Sequence, residues 1–374
     1  MKEKYYKIPK FRFNKFLEPW KRLKYEDVIE VNSGKDYKHL DKGDIPVYGT
    51  GGYMLSVSEA ITNKDGVGIG RKGTINKPYI LKAPYWTVDT LFFCIPKNKY
   101  NLYFINAIFE RTQWERFDES TGVPSLSKLT INNIQNYFPS FDEQSAIGSL
   151  FRTLDDLLAS YKDNLANYQS LKATMLSKMF PKAGQTVPEI RLDGFEGGWE
   201  EKEFSKLVKR VTQSSDSNSL PKVEFEDIIS GQGRLNKDIS NKFDNRKGIH
   251  FEPGYTLYGK LRPYLNNWLL PKFEGVALGD FWVFDPNGND SNFIYYLVQS
   301  NRYQKVANDT SGTKMPRSDW KSVSSTIFAI PQTVAEQQAI GSYFSNLDNL
   351  IAAHQDKISQ LETLKKKLLQ DMFI

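Results

Sequence analysis

Two long stretches of the chain alternate apolar and polar residues with the spacing of an amphipathic helix. Each begins with a hydroxyl residue that is followed three positions later by glutamate, Ser140 before Glu143 and Thr333 before Glu336. This spacing predicts a capping box, in which the hydroxyl and the carboxylate each accept a hydrogen bond from an unpaired backbone N–H. The pattern therefore predicts that two helices of similar length begin at these points.

The two stretches are copies of one another, offset by 193 positions. Segment 143–155 reappears as 336–348, and the match continues without a gap to Phe180 and Phe373. In both copies, mostly apolar residues recur at alternating spacings of four and three positions and form a stripe along one face of the helix, which we call the seam. The seam consists of Leu154, Leu158, Tyr161, Leu165, Tyr168, Met175 and Met179 in the first copy and of Leu347, Ile351, His354, Ile358, Leu361, Leu368 and Met372 in the second. A lysine, Lys172 or Lys365, interrupts each seam. Such a repeat, held over more than three heptads, is typical of a coiled coil.

The shared spacing and the shared lysine favour two helices that pack on each other. The alternative is an ordinary amphipathic helix that docks on its own domain. A second, shorter repeat precedes each helix, because residues 8–20 are similar to residues 187–199 at an offset of 179 positions. Two gap-free offsets indicate two whole repeats, each with a lead-in segment, a variable body and a long helix.

The bodies contain short β-branched and aromatic runs bounded by glycine, proline and asparagine, which predict strands and turns. The predicted strands are 28–31, 79–81 and 91–95 in the first body and 255–258, 268–270 and 281–284 in the second. We predict turns or close backbone approaches at 49–52 and 66–73, and helices at 102–117 and 292–307. Loop 310–317 is predicted to occupy the same place in the second body as loop 121–127 in the first.

Length and composition indicate a folded protein of two or three domains. Of the 374 residues, 40% are hydrophobic and 14% are aromatic, which is typical of folded rather than disordered chains. No run of about 18 apolar residues predicts a membrane span, and the first residues lack the apolar core of a signal peptide. The single cysteine, Cys94, fits a reducing cytoplasm. A formal charge of +6 is compatible with nucleic-acid binding but does not establish it.

The sequence lacks a recognisable catalytic or cofactor-binding constellation. Gly68, Gly70 and Gly73 match the spacing of a dinucleotide fingerprint. A turn with a proline follows them, however, where a helix N-terminus would be needed to hold the pyrophosphate. The three histidines are isolated, and a single cysteine does not make a zinc ligand set. We therefore predict no catalytic and no metal-binding residues in this chain.

Basic and aromatic residues on predicted turns of both bodies indicate nucleic-acid binding. The candidate DNA contacts are Arg71, Lys72, Thr74, Lys77 and Trp86 in the first body and Lys260, Arg262, Tyr264, Asn266, Asn267, Lys314 and Arg317 in the second. Arginine and lysine bind phosphate or guanine, and asparagine can pair with adenine through two hydrogen bonds. For any single residue the alternative is a polar loop position or, for an aromatic ring, a place in the core. Because such a set of basic and aromatic residues occurs in both bodies, DNA binding is favoured.

The chain resembles a specificity subunit of a type I restriction-modification system over its whole length. The resemblance rests on the duplicated Glu-Gln-x-Ala-Ile-Gly-x-x-Phe-x-x-Leu-Asp motif at Glu143 and Glu336, the lead-ins that end at Trp20 and Trp199, and the turns 69–74 and 256–263. It implies an α+β fold in which two α/β target recognition domains are joined by two long conserved helices. These helices are expected to form an antiparallel coiled coil within an internal pseudo-two-fold repeat.

The repeats and the resemblance together predict the domain boundaries. Residues 1–139 are expected to form the first target recognition domain, 140–180 the central coiled-coil helix, 181–198 the linker and second lead-in, 199–331 the second target recognition domain, and 332–374 the C-terminal coiled-coil helix. The residues expected to contact the other helix or a partner are Leu154, Leu158, Tyr161, Leu165, Leu347, Ile351, Ile358 and Leu361.

The function implied by the resemblance is DNA recognition without catalysis. Each recognition domain is expected to read one half of a bipartite, asymmetric site on double-stranded DNA, and the helices to dock two methyltransferase subunits. Restriction and translocase subunits are expected as further partners, with S-adenosylmethionine, ATP and Mg on partner subunits. One alternative is a non-enzymatic coiled-coil adaptor, which leaves the two basic bodies unexplained, and another is a stand-alone DNA-binding protein.

Overall fold

The computed structural model describes residues 8–240, 242, 245–310 and 314–374, and the chain divides into two compact units. The first unit consists of residues up to Lys162 together with Asp356–Ile374, and the second unit is Asp163–Gln355. Lys162 and Gln355 are equivalent positions of the duplicated helix. Each unit therefore contains the first part of one long helix and the last part of the other. The N-terminal residues 1–7 and residues 311–313 of the second loop, on which predictions were made, lie outside the described residues.

The first body is built from short strands and three short helices. In chain order its elements are β1 (Lys21–Lys24), α1 (Tyr25–Val28), β2 (Ile29–Ser33), β3 (Lys42–Gly49), β4 (Gly52–Val57), β5 (Gly66–Gly70), β6 (Tyr79–Leu81), β7 (Trp86–Thr87), β8 (Leu91–Pro96), α2 (Leu102–Arg111), α3 (Lys128–Asn133) and β9 (Gln135–Phe138). The 38-residue helix α4 (Phe141–Lys178) follows. β1 pairs with β9, β2-β8-β5-β6 form an antiparallel sheet, and β4-β3-β7 form another in which β3 and β7 are parallel.

The second body has a similar composition of elements. In chain order these are β10 (Glu200–Glu203), α5 (Phe204–Leu207), β11 (Lys209–Val211), β12 (Ser214–Ser215), β13 (Lys222–Val223), β14 (Ile228–Ile229), β15 (Arg234–Leu235), β16 (Gly248–Phe251), β17 (Thr256–Gly259), β18 (Trp268–Leu269), β19 (Gly275–Ala277), β20 (Phe281–Asp285), α6 (Ser291–Leu297), α7 (Asn301–Ala307), α8 (Trp320–Ser324) and β21 (Ile327–Ile330). Helix α9 (Val334–Asp371) also has 38 residues.

The main sheets of the two bodies correspond strand by strand. The order β2-β8-β5-β6 in the first unit matches β11-β20-β17-β18 in the second, and every neighbouring pair in both sheets is antiparallel. In both units a two-stranded ribbon, β1-β9 or β10-β21, leads into a long helix. The predicted internal repeat is therefore confirmed in the backbone, although the two bodies share little sequence.

The long helices pack on each other through the predicted seam. In the first unit Leu154 and Leu158 of α4 share a buried core with Leu361 of α9. In the second unit Leu347 of α9 shares a core with Met179, which directly follows α4, and Met175 of α4 packs against this core. Because the first part of each helix packs on the last part of the other, the pair is antiparallel, as predicted. Each buried side chain of this size contributes about 1.5–3 kcal/mol of transfer free energy.

The other residues predicted to contact the opposite helix or a partner are partly buried. Tyr161 and Ile358 are partly buried against the first core. Leu165 and Ile351 are half-buried.

The seam lysines complete ion networks that are equivalent in the two units. Lys365 Nζ lies 2.5 Å from Asp155 Oδ1 and 2.7 Å from Glu110 Oε2 in the first unit. In the second unit Lys172 Nζ lies 2.6 Å from Asp348 Oδ1, and it donates to Gln299 Oε1 at 3.1 Å. Each lysine thus joins the opposite long helix to the body, at the end of α2 in the first unit and in the turn after α6 in the second. This pairing explains why both copies of the seam interrupt their apolar residues with lysine.

The capping-box prediction is wrong for both glutamates. Glu143 accepts hydrogen bonds from Arg12 Nε and Nη2, each at 2.7 Å, and Glu336 binds Arg191 in the same way. Thr333 does accept from the Glu336 N–H, at 3.3 Å. A bidentate guanidinium is a stronger partner for a nearly buried carboxylate than a single backbone N–H. The glutamate of the motif therefore anchors the lead-in to the start of the helix.

The glutamine and the glycine of the duplicated motif position the body helices. Gln144 Oε1 accepts from Asn101 N–H, the N-cap of α2, at 3.1 Å, and Gln337 Oε1 accepts from Asp290 N–H, the N-cap of α6, at 2.9 Å. A Cβ added to Gly148 would lie 2.4 Å from Asn101 Oδ1. The motif thus holds the lead-in, the body and the opposite helix of each unit in fixed positions.

Three predicted elements differ from the structure. Segment Gly66–Gly70 is a fully buried strand, and the turn begins only after it. The helix predicted at 292–307 is broken into α6 and α7, because Ser300 caps α7 by accepting from Tyr303 N–H. The helix predicted at 102–117 ends at Arg111 and is followed by the 3-10 helix Trp114–Phe117.

Candidate nucleic-acid interface

The first basic turn lies at the end of strand β5 and is fixed to the loop before α3. Gly73 has a φ of +87°, and its N–H donates to the Pro124 carbonyl at 2.9 Å. Leu126 N–H donates to the Arg71 carbonyl, also at 2.9 Å. A Cβ on Gly70 would lie 2.0 Å from the Thr74 carbonyl oxygen, which explains the need for glycine. The turn therefore presents the exposed side chains of Arg71 and its neighbour on a rigid backbone.

The second basic turn has the same backbone design at the end of β17. Arg262 N–H donates to the Pro316 carbonyl at 2.7 Å, and Ser318 N–H donates to the Lys260 carbonyl at 2.8 Å. Lys72 forms a β-bridge with Ser125 in the first unit, and Leu261 forms one with Arg317 in the second. The predicted correspondence of the two loops is thus confirmed for the part of the chain that the structure describes.

The electrostatics of the two turns differ. In the second unit Asp280 lies 3.0 Å from Arg317 Nη2 and 3.6 Å from Lys260 Nζ, so one carboxylate orients two cations. In the first unit the Arg71 guanidinium donates to the Asp89 carbonyl at 3.4 Å and lies 5.8 Å from the Phe92 ring. The cations keep net positive charge at both turns, although Lys260 is half-buried, and this charge is suited to phosphate or to the acceptors of guanine.

A strained loop follows the second turn. Arg262 and Asn266 both have left-handed backbones, with φ of 48° and 54°, and they flank the 3-10 helix Pro263–Leu265. Such conformations cost of order 1–3 kcal/mol in non-glycine residues and cluster at functional sites. Asn266 is anchored through its carbonyl to Gly231 N–H at 3.0 Å. Tyr264 lies between Arg262 and Asn266 and is 57% exposed, so its ring can contact a base or a sugar.

Two predicted contacts belong to the core rather than to the exposed surface. Trp86 is 6% exposed, and its Nε1 donates to the Lys35 carbonyl at 2.9 Å. Asn267 is 7% exposed, and its carbonyl accepts from Gly259 N–H in the β17–β18 turn. Of the other candidates, Lys77 and Lys314 are exposed and Thr74 is half-buried.

Sequence reasoning missed Asp280, the carboxylate that orients Lys260 and Arg317. It is placed by the backbone, because Lys260 N–H donates to the Asp280 carbonyl at 2.9 Å. Thr90 occupies the equivalent place in the first unit and accepts from Arg71 N–H at 2.8 Å. In the sequence, the only signal for this ion-pairing role is that Asp280 directly precedes strand β20. The pairing of β20 with β17 then brings Asp280 next to Lys260 and the second basic turn.

The described residues contain no group of three or more histidine, cysteine, aspartate or glutamate residues placed to hold a metal ion. Across the same residues, no helix combines the length and the apolar character that a membrane span requires.

A family model described as type I restriction modification DNA specificity domain matches the chain at residues 17–167 and 221–363, which is more than half of its length. The chain belongs to this family. Each match includes most of one body and the first part of one long helix, so the specificity domain is present once in each repeat. Both basic turns lie inside the matched ranges.

Two known proteins illustrate the likeness. The specificity subunit of the type I restriction enzyme MjaVIII from Methanocaldococcus jannaschii is 21% identical over 276 residues, which cover 67% of this chain and 64% of that protein. The chain thus spans less than two thirds of the length of this curated relative. The crystal structure of the type I restriction-modification system S subunit from M. genitalium matches with a TM-score of 0.71 and 14% identity, covering 98% of this chain and 99% of that one. This match shows a shared fold.

Proposed function

We propose that the chain is the DNA-reading subunit of a type I restriction-modification complex. Each body reads one half of a bipartite, asymmetric site on double-stranded DNA. The observation that carries this proposal is that the specificity domain occurs once per repeat and that both copies present an exposed basic turn fixed to a neighbouring loop. Because the side chains on the two turns differ, the two half-sites are expected to differ in sequence.

The exposed cations supply two kinds of DNA contact. Arg71, Lys72, Arg262 and Arg317 can neutralise phosphates or bind guanine O6 and N7, and only the second contact distinguishes sequences. Tyr264 adds a surface for stacking or sugar contact. Asp280 limits the freedom of Arg317 through an ion pair and thereby preorganises it for binding.

The proposal assigns the chemistry to partner chains. Two methyltransferase subunits dock on the long helices and carry S-adenosylmethionine, and restriction and translocase subunits use ATP and Mg. The chain itself contributes no catalytic group and acts in the cytoplasm, where the chromosome is accessible.

The test is to co-express the chain with a type I methyltransferase subunit and to sequence the methylated genome. We expect methylated adenines in one bipartite motif, and none when the chain is omitted. Purified chain alone, given DNA and S-adenosylmethionine, is expected to transfer no methyl group. Methylation of the same motif without the chain, or methylation by the chain alone, would overturn the proposal.

A further inference from the structure

Each unit has a groove beside the last turns of one long helix, and the two grooves use the same position of the duplicated helix. The first groove, of about 770 Å³, is lined by Leu369 of α9 and by residues that follow α2. The second, of about 580 Å³, is lined by Leu176 of α4 and by residues of α7. Leu176 and Leu369 are equivalent in the repeat. We refer to these two cavities as the helix-end grooves.

Both helix-end grooves carry an excess of positive charge. The cations are Arg22, Arg111, Arg116 and Lys366 in the first groove and Lys178, Lys182, Arg302 and Lys305 in the second. The acidic residues that line the grooves are Glu110 and Glu189. Both already form ion pairs, Glu110 with Lys365 at 2.7 Å and Glu189 with Lys182. The grooves are therefore electrostatically suited to an anionic ligand.

One arginine in each groove is drawn into the protein without an acceptor. Arg111 is half-buried, its burial lowers the pKa of its guanidinium, and its side chain has no hydrogen-bond or ion-pair partner among the described residues. The Arg302 guanidinium lies 5.6 Å from the Phe328 ring. Its Nε is buried and has no hydrogen-bond acceptor among the described residues. Arginine stays charged in proteins, and buried charges are normally paired. Each groove thus contains an arginine side chain that can donate a hydrogen bond to a ligand.

The floors of the grooves are partly apolar. Phe117, Ile134 and Leu369 line the first, and Leu176 and Phe180 line the second. A sugar-phosphate backbone offers anionic oxygens but little apolar surface, whereas a polypeptide can combine carboxylates with apolar side chains. The candidate DNA contacts line neither groove. These features favour a protein ligand over nucleic acid.

We propose that each helix-end groove binds an acidic, partly apolar segment of a partner protein, with its carboxylates on Arg111 in the first unit and on Arg302 in the second. Because the grooves use the same position of the repeat, the two sites take two copies of the same partner segment. This site rests on the proposed docking of two partner subunits on the long helices, and it adds the groove and the chemistry that would hold a segment of each. It does not depend on DNA reading, because it uses neither of the basic turns.

The test uses the full chain and a fluorescent peptide with the repeat Glu-Glu-Leu, at physiological ionic strength. We expect two equivalents of peptide to bind per chain, and a peptide with the repeat Gln-Gln-Leu to bind at least about tenfold more weakly. Arg111→Glu and Arg302→Glu should each remove one equivalent, and the double variant both. Arg111→Gln and Arg302→Gln provide milder variants that keep the side-chain length.

Matched controls separate the grooves from overall charge. Lys38→Glu and Lys272→Glu change the charge of exposed residues outside the grooves by the same amount, and both should retain two equivalents. Loss of peptide in these controls, or no loss in the arginine variants, would contradict the proposal. If random-sequence duplex DNA displaces the peptide and loses affinity in the same arginine variants, the grooves bind nucleic acid and the proposal is wrong.

Discussion

Arg191 Nε lies 2.7 Å from Glu336 Oε1, and both side chains are largely enclosed, with 16% and 4% of their surfaces exposed. Arg12 and Glu143 form the same pair in the other repeat. Each long helix is accompanied by a lead-in segment that is distant in sequence. The pair explains this, because the arginine of the lead-in fixes the start of the helix.

Arg191→Ala is expected to destabilise the chain by about 3–5 kcal/mol, because it leaves the Glu336 carboxylate buried without its partner. Urea unfolding followed by tryptophan fluorescence measures the change. Lys162→Ala is the matched control, since the Lys162–Glu362 pair is exposed and should contribute no more than about 1 kcal/mol. Equal effects of the two variants would show that the enclosed pair is not an anchor.

Gly148→Ala is expected to destabilise the first unit, although alanine normally stabilises a helix by about 1 kcal/mol relative to glycine. The added Cβ would lie 2.4 Å from Asn101 Oδ1 and 3.0 Å from Phe104 N, the start of α2. Thermal unfolding should show a lower Tm for this variant and little change for Ser149→Ala, at an exposed position of the same helix. If the Tm of Gly148→Ala rises instead, the start of α2 shifts to accommodate the added Cβ without loss of stability.

Glu110→Gln is expected to reduce the pH dependence of stability. Burial raises the pKa of Glu110, and Lys365 only partly offsets this. A raised carboxyl pKa gives stability that is present below the unfolded value of about 4.3 and lost as pH rises through the folded value. Gln299 occupies the equivalent place in the second unit, so a neutral amide is tolerated there.

Urea unfolding at several pH values tests this. Relative to the unchanged chain, Glu110→Gln should gain stability as pH rises from 4 through the folded pKa, and the difference should be constant at higher pH. A loss of more than about 1 kcal/mol at neutral pH would instead show that the ion pair with Lys365 outweighs the burial of charge.

A heptad inserted into each long helix after Lys162 and after Gln355 is expected to lengthen the unspecified centre of the recognised motif. Seven residues extend each helix by about 10 Å, close to three base pairs at 3.4 Å each, while the seam register is preserved. Inserting four residues should rotate the seam and mainly lower stability. Methylome sequencing reads the spacing, and a folded, active heptad variant with the original spacing would show that the helices do not set it.

The repetitive parts of the fold were predictable from sequence, and the site was predictable only in part. The long helices begin within one residue of the predicted caps, because the hydroxyl and the seam are local signals. For 66–73 the glycines left open a turn or a close backbone approach, because both need glycine. The structure shows the close approach at Gly66–Gly70, a buried strand in which a Cβ on Gly68 would lie 3.3 Å from Leu81. The partner of Glu336 was missed because Arg191 is distant in sequence.

The basic turns show the same limit. The sequence placed Arg71 and Arg262 on turns, but the bonds to the Pro124 and Pro316 carbonyls that make the turns equivalent depend on tertiary structure. Trp86 and Asn267 were predicted as contacts by residue type and neighbourhood, and burial decided otherwise. Residue type indicates chemistry, but only packing determines exposure.

Methylome sequencing of cells with Arg71→Ala or Arg262→Gly tests whether each body reads one half of the site. Glycine adopts the left-handed backbone at position 262 without strain, so folding should be retained in that variant. A lost base contact should cost about 1–3 kcal/mol. We predict that Arg71→Ala relaxes or weakens one half of the methylated motif and that Arg262→Gly affects only the other half. If both variants fold and each alters both halves alike, or neither alters any position, the two bodies do not read separate half-sites through these turns.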